Sequence, residues 1–469
     1  MNAMKKIYIL VMLVLTSTMT MAQTSIWNGG RALWAQGSGT EEDPYLIESA
    51  DNLAFLAYMV NKGYETNGMH FRLTTDVDLN GSEALQWVPI GLGDRCYNED
   101  GCYTGAAGNI RPTFNGHFDG GNHYISNIYI DNSDGKYGNA VGLFGSAKGI
   151  VENNVVDPAV IENVFLTSGY IKGTFCGGIL GTGGSPASTV VSRCWNGATL
   201  EGDANSRCGG IVGYNAYQVN NCYNKGTLTG YYVGGIVGYG VAGTIEECYN
   251  EGDLTGTYVG GIFGFSIQSN VNINNCYNTG SIEANGEILS PNTPAGPAAG
   301  GIASFLLSSN CSITNCYNVG VVSSTQDAGC ILAYGPKTTL ENNFYISTCS
   351  AGGEGTSLSE EYMRSQEFVD YLNGRDQVWA LDVDNINNGF PILVENNLAV
   401  AESSRPQFIV YPNPSHGQFT VKGTGMMTIV NLLGQQVLRR EINGVTNIEL
   451  PKGMYCITLG NSTQIIVIE

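Results

Sequence analysis

Residues 234–261 read GGIVGYGVAGTIEECYNEGDLTGTYVGG, a unit that opens and closes on the same Gly-Gly doublet. Its inner phrase, Cys248-Tyr249-Asn250-Glu251-Gly252, returns as Cys194-Trp195-Asn196-Gly197, Cys222-Tyr223-Asn224-Lys225-Gly226, Cys276-Tyr277-Asn278-Thr279-Gly280 and Cys316-Tyr317-Asn318-Val319-Gly320. The spacing is 26 to 28 residues, with one step of 40. Gly-Gly-Ile recurs in phase with it at 177–179, 209–211, 234–236, 260–262 and 300–302, and survives as Gly329-Cys330-Ile331. Two markers with one period identify a repeat architecture.

Each period holds three short β-like runs bounded by Gly, Asn or Asp, for example 235–239, 244–249 and 253–259. None has helical periodicity. Three strands per constant period predict an all-β coil stacked on copies of itself, each strand pairing in parallel with its equivalent one turn on. The usual crossover hand makes this a right-handed parallel β-helix. Equivalent residues then rise in columns about 4.8 Å apart. Ile211, Ile236 and Ile262 form one apolar column, Val219, Ile245, Ile273 and Ile313 a second, and Leu228, Leu254 and Ile282 a third. The column Asn196, Asn224, Asn250, Asn278, Asn318 is expected to be a turn ladder. Asn tolerates left-handed backbone, and its amide can donate and accept between copies. The doubled glycines are expected at a tight corner.

The chain has 13 cysteines. Stacked cysteines keep their Cβ atoms about 4.8 Å apart, beyond the 3.5–4.5 Å a disulfide prefers, so 194, 222, 248, 276 and 316 read as buried thiols. Cys96 and Cys102, bracketing a Gly-rich loop, are the best local disulfide candidate. Zinc is not expected, because clustered Cys-x-x-Cys or His pairs are missing from the sequence.

If the repeated cysteine faces inward, alternation sends its neighbour outward. That neighbour is Trp195, Tyr223, Tyr249, Tyr277 or Tyr317, aromatic in every copy. Exposed, the stripe could stack on sugar rings; alternatively the rings cover the outside of the strand or pack under the loop at 285–299. Polysaccharide-degrading activity is the rival function, but it needs basic clusters or paired carboxylates in a cleft. Glu246, Glu247, Glu251 and Asp253 do not recur in register, and no cofactor or catalytic residue is expected. Asp382-Val383-Asp384-Asn385-Ile386-Asn387-Asn388-Gly389 faintly suggests calcium but lacks a downstream Glu, so a solvated turn is expected. His117 and His123 are expected to flank a turn rather than to form a ligand pair.

The ends read differently. Lys5 and Lys6 precede nine apolar residues at 7–15, and the stretch ends at Ala22, the pattern of a cleaved signal peptide over residues 1–22. Nine apolar residues are too few to span a bilayer. Removing both lysines moves the formal charge from −20 to about −22, which disfavours nucleic acid and anionic lipid as partners. Residues 49–62 carry a helix start and Leu53, Leu56, Ala57 and Val60 at helical spacing. Residues 357–373 repeat the design with Ser357 or Ser359 ahead of Tyr362, Met363, Phe368 and Leu372. Both are expected near the ends of the solenoid, whose strand edges need covering.

Gly-Gly-Ile-Val-Gly at 209–213 and 234–238, with Asn-Cys-Tyr-Asn at 221–224, 275–278 and 315–318, resembles the GLUG repeat of bacterial surface proteins and adhesins. The flanks FRLTTDVDL at 71–79, FNGHFDGGN at 114–122 and Phe390-Pro391-Ile392-Leu393 look like the usual lead-in and close. Such repeats also occur in some immunoglobulin-cleaving metalloproteases, but this sequence contains no His-Glu-x-x-His. A second resemblance rests on Tyr411-Pro412-Asn413-Pro414, Gly417, Gly434, and Gly453 with Tyr455 in LPKGMY. These look like the C-terminal sorting domain of the type IX (Por) secretion system. That resemblance implies a small antiparallel β-sandwich, engagement of the type IX machinery, and a product secreted from or attached to the surface of a Gram-negative bacterium. The expected organisation is a signal peptide at 1–22, an N-terminal cap with first coils at 23–140 and GLUG-repeat coils at 141–350. A C-terminal cap at 351–395, a linker at 396–407 and the sorting domain at 408–469 follow. Together these point to an adhesin or a glycan- or host-ligand-binding scaffold, with an enzyme or an inert stalk as alternatives.

Overall fold

One residue per repeat, just before the repeated cysteine, takes a left-handed backbone and turns the chain: Asn221, Glu247, Asn275 and Asn315 have φ of 53°, 53°, 51° and 56°. The run expected as one strand at 244–249 is therefore two, Gly243–Glu246 and Tyr249–Asn250, and a coil has four strands rather than three. The left-handed position is the first Asn of Asn-Cys-Tyr-Asn. The ladder Asn, the second, lies in extended strand, which corrects its expected turn role.

The structure is a computed structural model that describes residues 24–468 except 94, 98–102, 106–111, 153–154, 185–187, 241–242, 268–269, 290–295, 375–376, 395–407, 412–416, 432–434 and 460–461. The signal peptide and the linker fall outside the described residues, as does Cys102; of Cys96 only the backbone, in strand Arg95–Tyr97, is described. Among the described residues, four stacked sheets of parallel strands run along the solenoid. Sheet 1 has ten strands, from Tyr45–Ile47 to Thr339–Glu341 and includes Gly243–Glu246; sheet 2 has eleven, from Ser25–Ile26 to Thr356–Leu358 and includes Tyr249–Asn250. Sheet 3 contains Leu254–Gly260, and sheet 4 has seven strands, from Phe144–Ser146 to Leu332–Tyr334. The registers are those of stacked copies: Val219↔Ile245↔Ile273↔Ile313, Leu228↔Leu254↔Ile282, and Tyr223↔Tyr249↔Tyr277↔Tyr317. The parallel solenoid read from the period is the observed fold, and the three apolar columns form its buried interior.

The two sequence markers meet inside. Each ladder Asn is fully buried and passes a 2.8 Å hydrogen bond to the next, from Asn196 through Asn224, Asn250 and Asn278 to Asn318. The second glycine of each doublet packs against it: a Cβ on Gly235 would lie 2.1 Å from the Gly261 carbonyl oxygen and 2.6 Å from the Asn250 side chain. The doublets are thus required by close approach at the corner rather than by a positive φ. They share a period with Asn because the amide fills the space a side chain would take.

Helix α1 (Ala50–Asn61) is capped by Ser49 and buries Leu53, Leu56, Ala57 and Val60, as expected. The C-terminal cap is two helices, α2 (Glu360–Met363, capped by Ser359) and α3 (Gln366–Asn373, capped by Ser365). Helix α3 packs on the flank of the last coils, where Phe368 meets Phe344 edge-on at 5.2 Å and Asn315 donates to the Leu372 carbonyl. The run after Asp382 is a closed loop rather than a solvated turn. The buried Asp382 carboxylate accepts from the backbone N–H groups of Ile386, Asn387 and Gly389.

Compact units divide between Pro391 and Ile392. The second contains five antiparallel strands in one sheet: Phe408–Tyr411, Gln418–Asn431, Gln436–Glu449, Gly453–Leu459 and Ser462–Ile468. The long strand Gln418–Asn431 pairs along one edge with both Phe408–Tyr411 and Gly453–Leu459 and so links all five strands. A separate cluster including Phe419, Val421, Ile429, Ile457, Leu459 and Ile466 forms its core.

Candidate functional site

The expected binding stripe is present but covered. Tyr223, Tyr249, Tyr277 and Tyr317 are buried, at 8, 5, 2 and 0% exposure, and Trp195 is half-buried. Their rings stack in sequence at 5.5, 4.7, 4.7 and 5.0 Å with interplanar angles of 2–6°. The cover over the lower end of the stripe comes from the segment around Trp379, Asn387 and Pro391. Trp379 lies 6.0 Å from Tyr277 and 5.5 Å from Tyr317, and the Tyr317 hydroxyl donates to the Pro391 carbonyl and accepts from Asn387. Further up, Lys225 lies over the Tyr223 ring and is held there by Glu251. Burial pushes the Tyr249, Tyr277 and Tyr317 hydroxyls well above their ordinary range. The column is a packing spine: of the two alternatives, the rings are covered rather than exposed.

A second aromatic column, in sheet 4, is partly open. Tyr214, Tyr239, Phe265, Phe305 and Tyr334 stand in register, with ring centroids 5.5, 5.5, 4.6 and 4.9 Å apart. Phe265 and Phe305 are buried, whereas Tyr214, Tyr239 and Tyr334 are half-buried. Tyr232 of sheet 3 joins from the side, 5.4 Å from Tyr239 and 4.4 Å from Phe265. The Arg207 guanidinium lies 4.6 Å from the centre of Phe175 and 4.9 Å from those of Tyr214 and Tyr239. Its Nε is buried without a hydrogen-bond partner, so the charge is held by ring faces. Leu289, from the described part of the 285–299 loop, lies on this side, its N–H donating to the Tyr231 hydroxyl. The sequence signal was available: each of the five column residues lies five positions after the first residue of its Gly-Gly-Ile phrase.

The repeated cysteines are buried free thiols, and the backbone N–H of each points to the sulfur one coil on at 3.4 Å from Cys194 through Cys276. Burial pushes the thiols of Cys194 and Cys276 well above their ordinary value. A disulfide joins Cys330 to Cys349, a pair the sequence did not single out. The Cys96–Cys102 candidate lies outside the residues whose side chains are described. Among the described residues, no three His, Cys, Asp or Glu side chains are grouped to hold a metal ion. His117 pairs with Glu162 at 2.6 Å and His123 with Asp76 at 3.0 Å, in separate contacts. In the C-terminal unit the Tyr411 backbone is in strand, Gly417 has a φ of +99°, and Gly453 opens the strand in which the buried Tyr455 donates to the Pro451 carbonyl. Pro412, Asn413, Pro414 and Gly434 lie outside the described residues.

A parallel solenoid of short coils followed by an antiparallel unit with its own core is the architecture of a repeat protein with a terminal β-domain. Residues 409–469 match the secretion system C-terminal sorting domain, and residues 229–255 match the GLUG motif. The chain thus carries a GLUG motif and a type IX sorting domain, and the sorting domain directs it through that machinery to the cell surface or the medium. A protein of Evansella cellulosilytica described as "Putative Gly-rich membrane protein" is 31% identical over 31% of this chain and 14% of its own length. Halomucin of Haloquadratum walsbyi is 28% identical over 42% of this chain and 2% of its own length. This chain therefore spans a small part of these curated relatives. The crystal structure of a "putative immunoglobulin A1 protease from Bacteroides ovatus" is similar over 77% of this chain and 95% of that one, with 19% identity and a TM-score of 0.46. Among the described residues, no helix is long and apolar enough to cross a membrane.

Proposed function

We propose that the solenoid is a non-catalytic adhesin-like scaffold, delivered by the type IX system, that binds glycan through its sheet 4 aromatic face. The observation that carries this reading is the half-exposed set Phe175, Tyr214, Tyr232 and Tyr239 around Arg207. Aromatic faces offer rigid contact area for the C–H faces of sugars, and a guanidinium beside them can donate to hydroxyls. The buried Tyr249 column cannot serve this way without displacing the segment that covers it. The non-catalytic part is supported by the engagement of Asp119, Glu162 and Glu201 in ion pairs with Arg72, Arg193 and Lys172.

Glycan-array binding of the full chain tests the proposal. Tyr214→Ala/Tyr239→Ala should abolish the signal and Tyr249→Phe should leave it unchanged. Binding unaffected by the double substitution would overturn the assignment of this face. Release of unsaturated or reducing sugar from a bound polysaccharide would overturn the non-catalytic reading, and failure to bind any glycan would leave a structural stalk.

A further inference from the structure

Arg207 stands without an anion. Other cations of the solenoid are matched: Arg72 pairs with Asp119, Lys172 with Glu201, Arg193 with Glu162 and Lys225 with Glu251. Among the described residues Arg207 forms no ion pair, and its Nε is buried without a hydrogen-bond partner, in a chain with 41 acidic and 21 basic residues. Asp203, the nearest acid in the sequence, lies on the same strand, Thr199–Gly209, and is turned to other partners. Its carboxylate accepts from the Thr174 hydroxyl and from the Asn205 N–H.

The rings account for where the cation sits and not for what its N–H groups bind. Phe175 and Arg207 are neighbours in sheet 3, and Tyr214 and Tyr239 are neighbours in sheet 4, so the guanidinium lies where the outer columns of the two sheets converge. Ring faces stabilise the charge but accept no ordinary hydrogen bond, and a guanidinium has five in-plane donors. Arg207 is half-buried with Nε at its buried end, which leaves the Nη1 and Nη2 edge for a ligand. Apolar walls keep water from competing there and strengthen any charge contact that forms. A sugar hydroxyl would occupy a donor and leave the charge uncompensated. An anionic oxygen group does both, and its paired oxygens match the guanidinium fork.

We propose that the glycan bound at the sheet 4 face is an anionic one, whose carboxylate or sulfate ester docks on the Nη edge of Arg207 beside Tyr214 and Tyr239. This rests on the glycan-binding reading of the face and adds the class of glycan to it. A formal charge of −20 gives the chain no long-range attraction for such a ligand, so the preference comes from this one contact.

The test applies the full chain to an array that displays each glycan as its free acid, as the carboxyl-reduced neutral counterpart and as a sulfated form of that counterpart. The acid or the sulfated form should be retained at least about tenfold more tightly than the neutral one, and the stronger arm names the source of the anion. Arg207→Met, which keeps a long side chain against the rings, should weaken the anionic members about tenfold and leave the neutral ones unchanged. Arg207→Lys keeps a charge over the rings and loses the fork; it should retain the unfolding midpoint and still bind the anionic members more weakly than the parent. Equal retention of anionic and neutral forms, both lost in Tyr214→Ala/Tyr239→Ala, would overturn the proposal and leave the face a neutral-glycan site. An anionic preference that survives Arg207→Met would also overturn it. Retention of no glycan at all would overturn the reading of the face and this proposal with it.

Discussion

The side-chain amide of Asn250 donates to Oδ1 of Asn278 at 2.8 Å, joining two residues that lie one above the other in successive coils. Asn250 also donates to the Gly252 carbonyl and accepts from Asn224, all at full burial. Asn250→Ala removes these bonds and leaves buried polar groups above and below unpaired, which should cost about 2–4 kcal/mol. Gly235→Ala, forcing a methyl into the Gly261 carbonyl, should cost about 2 kcal/mol or more. Urea unfolding of each variant against the parent measures both.

Glu247 occupies the left-handed position that Asn holds in three of the neighbouring coils, with a φ of 53°. A side chain longer than Asn or Asp is strained there. Glu247→Asn should therefore raise stability by about 1 kcal/mol, seen as a higher urea midpoint with an unchanged slope.

The sulfur chemistry divides in two. The thiols of Cys194, Cys222, Cys248, Cys276 and Cys316 should resist alkylation by iodoacetamide in the folded protein and react fully in denaturant, as mass spectrometry would show. The Cys330–Cys349 bridge closes a loop with a sequence separation of 19, and replacing both partners with Ser should cost about 3 kcal/mol.

Acid should weaken the N-terminal coils. A hydrogen bond from His117 and the nearby charge of Arg193 hold the Glu162 carboxyl below its ordinary value, against the opposing effect of burial. A depressed folded pKa means the unfolded chain binds more protons. The stabilisation is thus complete above the ordinary carboxylate value near 4.5 and is lost as pH falls through the lower folded value. Glu162→Gln should be less stable than the parent near neutrality, and the difference should shrink below about pH 4. Unfolding midpoints across that interval decide it.

The repeat, its parallel stacking, the three apolar columns, the Asn ladder and the buried thiols were legible because stacking forces the same chemistry to recur at each level. What did not recur was not legible. The cover over Tyr277 and Tyr317 comes from Trp379, Asn387 and Pro391, a segment outside the period, so alternation gives the outward direction of the rings but not what covers them. Asn-Cys-Tyr-Asn contains two asparagines with opposite backbone needs, and the left-handed one was assigned to the wrong end, which hid the fourth strand. The Tyr214–Tyr334 column was periodic but overlooked beside the stronger Cys-Tyr-Asn phrase.

The amide relay from Asn196 ends at Asn318, whose nitrogen meets the Cys349 sulfur at 4.0 Å, and Cys349 is locked to Cys330, the residue that replaces a corner glycine. A stack of near-identical tiers can grow by duplication wherever one tier accepts another on top. Here sheet 2 continues above Asn318 through Phe344–Ile346 to Thr356–Leu358, but the amide relay does not, so a tier that is to extend the relay has to be spliced in below Asn318.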